Sequence, residues 1–188
     1  MHRVPPPRPG DYNPLFEAEI SLVPEVPDFS VRLRRQGEET RELLARFGER
    51  HGDLRYGSGK WTVREVAGHL VDTERVLTCR ALRIARGDQA VLSGFDTEAY
   101  VAAGGFASRT LDSLIGELLA VRAATVALFE ALPAEAFPRR GQVGKNPITV
   151  AAILYLLAGH ELHHQELLCA RYLPALEPAP RAPRPPPV

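Results

Sequence analysis

From Ile148 onward the chain enters an apolar stretch of helical spacing, broken late by His160-Glu161-Leu162-His163-His164. That stretch governs what the rest of the chain must build. Ile153, Leu157, His160, His164 and Leu168 fall on one stripe, so two histidines replace core residues without interrupting it. A neighbouring stripe, Ala152, Leu156, Gly159, His163 and Glu166, turns polar at its end and leaves His163 more peripheral. Two histidines four apart on a helix share one face, about 6 Å apart along the axis, and both imidazoles can address one ion.

A second helical run begins at Thr62. Thr62 and Glu65 have capping-box spacing, in which the hydroxyl and the carboxylate each satisfy an orphan backbone donor. Along it His69 lies in line with Val66 and Thr73 and so faces inward. A lone buried histidine is ordinarily a hydrogen-bonded core residue. Three that face one interior each need a partner, and a metal supplies it for all three. A facial set of three imidazoles suits a divalent transition metal and leaves positions open for water or substrate.

Two further long helices complete the pattern. The first spans Phe29 to Phe47, with Leu33, Leu43, Leu44 and Phe47 inward and Gly37 as a local weakness. The third spans Leu111 to Leu132 and stops at Pro133, with Leu114, Leu118, Val121, Thr125, Leu128 and Phe129 at helical spacing. Thr149 is the expected N-cap of the last helix, which ends near Tyr172, before Pro174. The connection from Asp88 to Ser108 is long enough to be a functional or covering element. The segment Pro138 to Pro147 reads as a Gly- and Pro-bearing loop, and no run alternates apolar with polar residues as a strand would. The expected fold class is all-α, a four-helix bundle over residues 15–173. It is flanked by proline-rich arms at 1–14 and 174–188 that are expected to be extended or disordered.

The 188 residues carry 23 Lys plus Arg against 23 Asp plus Glu, so no net field favours nucleic acid or an anionic membrane. The basic clusters Arg32-Leu33-Arg34-Arg35 and Arg139-Arg140 have no interleaved aromatics and read as solvated faces. Cys79 and Cys169 have no CxxC partner and sit in apolar helical stretches, which predicts buried, reduced thiols. The N-terminus lacks the apolar segment of a signal peptide. The run Ile148 to Gly159 falls short of the ~20 residues that span a bilayer. The chain is expected to be soluble and cytoplasmic.

His160-Glu161-x-x-His164 also matches HExxH, the zinc-peptidase signature in which the Glu is general base. Those enzymes take a third ligand downstream, whereas here Gln165-Glu166-Leu167-Leu168 and then prolines follow. The peptidase reading is set aside. Asp72, near His69, and Glu161 are candidates to orient the ligands, although solvated carboxylates are the commoner outcome at such positions. Arg64, Arg75 and Arg80 could meet a carboxylated cosubstrate, again against a default of surface solvation.

The stretch from Gly59 to Arg75, which includes Trp61-Thr62 and Gly68-His69, resembles the second-helix motif of the DinB-like (DinB/YfiT) superfamily. Leu157 to Gln165 resembles its last-helix motif. Gly94-Phe95-Asp96 and Tyr100 look like the DinB_2 branch, and the likeness covers roughly Phe29 to Tyr172. The resemblance implies a four-helix bundle with one divalent metal, zinc or nickel, often as a homodimer. Carried over by position, the ligands fall on His69, His160 and His164, with His163 outside the set. Some members look like transferases that activate a low-molecular-weight thiol of the bacillithiol or mycothiol type for conjugation to an electrophile. Alternatives are a hydrolase using metal-bound water and a non-enzymatic metal-binding stress-response protein. The expected partner is a small-molecule substrate, and no residue is assigned a catalytic role.

Overall fold

A computed structural model describes residues 4–25 and 27–176. Four long helices carry the architecture: α2 (Phe29–Ala45), α3 (Val63–Ala85), α5 (Leu111–Glu130) and α6 (Val150–Leu167). Two short helices, α1 (Glu17–Ser21) and α4 (Thr97–Ala103), pack beside them. The helix starts are set by local side chains. Asp28 accepts from the backbone N–H groups of Ser30 and Val31, and Thr110 and Thr149 accept from Ser113 and Ala152. At Thr62 both halves of the capping box form, with Glu65 N–H to Thr62 Oγ1 at 3.0 Å and Thr62 N–H to Glu65 Oε2 at 2.6 Å.

The all-α expectation needs correction. Residues read as loop form a three-stranded sheet of β1 (Val91–Leu92), β2 (Arg140–Val143) and β3 (Asn146–Thr149), in that order. β1 runs parallel to β2, with Leu92 opposite Val143; β2 and β3 are antiparallel, with Arg140 opposite Thr149. The strands hold two to four residues, too few for alternation to register. The hairpin turns at Gly144, whose φ of 57° is left-handed, beside Lys145 rather than through an Asn-Gly or Asp-Gly pair.

The core is layered along the helix axes. One apolar cluster joins Phe29, Leu33, Leu77, Phe129 and Ile153. A second joins Leu44, Val66, Leu114, Leu118 and Leu168. Between them every long helix contributes buried polar side chains: Gln36 and Thr40, His69 and Glu74, Arg122 and Thr125, Glu161 and His164. This belt positions the site described next.

Residues 4–8 have no regular structure and 9–12 form a turn through Gly10, and the segment is docked at its two ends. Val4 is 1% exposed and its carbonyl accepts from Tyr155 Oη at 3.1 Å, while Thr149 N–H donates to Asp11 O at 2.9 Å. Proline removes donors but leaves carbonyls and apolar rings free to pack. α1 lies against α6 where Gly159 sits, since a Cβ there would overlap the Glu19 carbonyl oxygen. Leu173–Leu176 form a short 3-10 turn, and residues 177–188 of the proline-rich tail lie outside the described residues. Cys79 and Cys169 are both exposed, against the expectation of burial, because each falls on the outer side of its helix. Among the described residues no helix is long and apolar enough to cross a membrane.

Candidate metal centre

The polar belt brings together three imidazoles from distant parts of the chain. The potential ligand nitrogens of His69, His160 and His164 all lie within 4.8 Å of one another. His69 Nε2 and His160 Nε2 are 2.9 Å apart, and the ring centroids of the three are separated by 4.6 to 4.9 Å. Thr73, one turn along α3, places Oγ1 3.3 Å from His69 Nδ1 and so orients that ring. His164 Nδ1 is buried with no hydrogen-bond partner. Two imidazole nitrogens at 2.9 Å either share one proton or present lone pairs to a common ion. Together with a buried nitrogen lacking a partner, the donor set fits a divalent transition metal. His163 is exposed and stands outside the set, with its ring 5.3 Å from that of His164.

Burial keeps the three rings neutral, as a ligand must be. It lowers His69 to about 4 and His164 to about 3, the latter helped by the neighbouring His69 and His163. His160 is pushed well below its usual value, by burial first and then by the other histidines. It is nevertheless partly open, because it borders a cavity of about 490 Å³ that His69 also lines. Trp61, the chain's one tryptophan, lies 4.8 Å from the His69 ring and 6.5 Å from that of His164. Its indole N–H donates to Glu98 Oε2 at 3.0 Å, and Tyr172 Oη donates to its carbonyl at 2.7 Å.

Glu161 is not a solvated carboxylate, nor does it face the cavity as a general base. At 2% exposure it accepts from Gln36 Nε2 at 2.7 Å, Thr40 Oγ1 at 2.5 Å and Arg122 Nη2 at 2.7 Å. Arg122 also grips Glu74 through Nε and Nη2, at 2.9 and 2.8 Å. Burial opposes the Arg122 charge, but Glu161 and Glu74 raise its pKa further. Gly37 makes room, since a Cβ there would stand 3.3 Å from Arg122 Cγ. Both carboxylate oxygens of Glu161 are thus committed, which removes the peptidase-like role that HExxH suggests. Asp72 is half-buried, its pKa raised by that burial, and Arg75 lies 4.0 Å away. Of the three arginines singled out, Arg64 pairs with Glu49 and Asp53, and Arg75 with Glu117. Arg80 borders the cavity.

Residue-by-residue reading of the sequence did not assign Arg122, Gln36, Trp61 or Glu19 a part in the site. For Arg122 a signal existed: it falls four residues after Leu118 on an otherwise apolar stripe. Glu19 had none, because its place beside the cavity depends on the packing of α1 against α6.

The fold and the site together define a four-helix bundle with a three-histidine centre at its waist. The sequence profile of the DinB superfamily matches residues 32–168, and the chain belongs to that superfamily. Among solved structures it is similar to YfiT from Bacillus subtilis, described as a probable metal-dependent hydrolase with an unusual four-helix bundle topology. That likeness has 20% identity and a TM-score of 0.68, over 79% of this chain and 89% of that one. It is also similar to the mycothiol-dependent maleylpyruvate isomerase, at 12% identity and a TM-score of 0.60, over 80% of this chain and 59% of that one. At these identities the likenesses establish the fold. No curated protein matches the chain in sequence.

Proposed function

We propose that the protein is a divalent-metal enzyme that uses three neutral imidazoles, His69, His160 and His164, to activate a small thiol for transfer to an electrophile held in the adjoining cavity. The observation that carries this is the convergence of three neutral histidines, two of which, His69 and His160, border a cavity of about 490 Å³, with the Glu of the HExxH string turned away and fully bonded. A divalent ion held there would lower the pKa of a thiol or a water molecule toward neutrality. The protein's own part is to hold the rings and shape the cavity. Thr73 fixes the His69 ring, and the Glu161 anchor holds the α6 segment between His160 and His164. The resemblance to thiol-dependent members and the mycothiol-dependent isomerase among similar folds support the thiol.

A hydrolase is the second reading, favoured by Glu19. Burial raises this cavity-lining carboxyl above its usual pKa, against the opposing pull of His163, which is the direction a proton-transferring acid requires. Purified protein loaded with Zn²⁺, Ni²⁺ or Co²⁺ should conjugate a small thiol to monochlorobimane under the first reading, and a chelator should abolish the reaction. Hydrolysis of 4-nitrophenyl esters without conjugation would favour the second. Failure to bind any of the three metals would refute both.

A further inference from the structure

The cavity has a second charged end. Four residues of α3 border it: His69, Thr73, Leu77 and Arg80. Their spacing of four, four and three keeps them on one helix face, with Arg80 about 16 Å along the axis from His69. α6 runs antiparallel to α3, so the Arg80 end lies beside the β2–β3 hairpin and the segment at Gly94 and Phe95. Among the described residues the one carboxylate bordering the cavity, Glu19, belongs to the other end, because its backbone abuts Gly159 next to His160.

Arg80 is half-buried, and burial lowers its pKa. Among the described residues no carboxylate pairs with it. Its one hydrogen bond runs from Nη2 to Ser93 O at 2.7 Å, and its guanidinium carbon sits 5.5 Å from the centroid of the Phe95 ring. Those two contacts hold the guanidinium in place without neutralising it, and among the described residues its other N–H groups have no protein acceptor. Of the other buried or partly buried arginines, Arg41, Arg64, Arg109 and Arg122 pair with carboxylates, and Arg32, away from the cavity lining, donates to Gln36 Oε1 at 3.2 Å. Between the two ends the wall is apolar, with Phe16, Leu77, Ile148 and Leu156.

We propose that this cavity takes an elongated amphipathic anion, whose apolar body lies along α3, whose carboxylate or phosphate meets Arg80, and whose other end reaches the histidines. A held guanidinium with free donors suits planar or tetrahedral oxyanions. The cavity volume falls in the range of small-molecule sites. What occupies the histidine end rests on the metal-centre reading; the anion at Arg80 does not.

Two sets of binding measurements separate these parts. On metal-free protein, titration calorimetry compares octanoate, octanamide and octyl phosphate. Octanoate or octyl phosphate should bind at least tenfold tighter than octanamide, and the stronger of the two identifies the oxyanion. Arg80→Met, which keeps the methylene contact with Phe95, should erase the preference, and Arg80→Lys should keep part of it. Equal binding of acid and amide to wild type overturns the proposal, as does a preference that survives in Arg80→Met. If Arg80→Met does not fold, the wild-type comparison and Arg80→Lys still decide. On Co²⁺-loaded protein, 8-mercaptooctanoate should bind more tightly than 8-mercapto-1-octanol or 3-mercaptopropionate, read from the sulfur-to-cobalt absorption band. Absence of that band with every thiol would refute the thiol-activating function and leave the anion result standing on the metal-free measurements.

Discussion

Replacing Arg122 by Met tests whether the polar belt at the waist of the bundle is a fully compensated ionic cluster. Arg122 is 4% exposed and makes four hydrogen bonds, two to Glu74, one to Glu161 and one to the Leu33 carbonyl at 2.7 Å. Met fills similar space without charge. Two buried carboxylates then lose their counter-ion, and Glu161 keeps Gln36 and Thr40 as donors. Breaking a buried pair from one side costs about 3–5 kcal/mol. At about 2–4 °C per kcal/mol for a chain of this size, the thermal midpoint at pH 7 should fall by about 6–20 °C. Adding Glu74→Met should recover part of the loss, because it removes the carboxylate left with fewest donors. Burial without a cation favours the neutral acid, so the carboxyl pKa in the variant rises above its unfolded value. A raised folded pKa contributes stability at low pH that is lost as pH rises, so the deficit relative to wild type should shrink at pH 4.5. Paired melts of wild type and both variants at the two pH values provide the measurement. A drop under about 2 °C at pH 7, or a deficit that widens at pH 4.5, would show that the cluster is not compensated in this way.

Purified protein should hold one divalent ion per chain. His69→Ala, His160→Ala and His164→Ala should each lose it in equilibrium dialysis, while His163→Ala retains it; in wild type, added Ni²⁺ or Co²⁺ should quench the fluorescence of Trp61, which lies 4.8 Å from the His69 ring. Gly159→Ala should destabilise by at least about 2 kcal/mol in urea melts, since its Cβ overlaps the Glu19 carbonyl and α1 must move off α6. With chelator present, stability should fall as pH drops below 6.5. His69 and His164 are depressed by burial to about 4 and about 3, so stability present above the unfolded pKa is lost on the way down. Each contributes about 2 kcal/mol of that loss by pH 5. A flat profile from pH 7 to 5 would mean that the rings are not held neutral.

Much of this protein is written in local pattern. Helical spacing and the side-chain caps at Thr62 and Thr149 act within one or two turns, so the four long helices could be read directly from the chain. The inward direction of His69, His160 and His164 was legible for the same reason, because a helix face follows from residue number alone. What local pattern could not supply is which faces meet, and at what height. The strands at 140–143 and 146–149 are stabilised by pairing with each other and with β1, so they have no single-strand signature. The docked arm depends on acceptors at Val4 and Asp11 meeting donors from Tyr155 and Thr149, more than 130 residues away. Glu161 shows the limit most clearly. Its neighbours in sequence made it a candidate at the metal, but its environment is set by Gln36, Thr40 and Arg122 on two other helices. A carboxylate's role follows from which donors surround it, and only the packing of α2, α5 and α6 brings those donors to it.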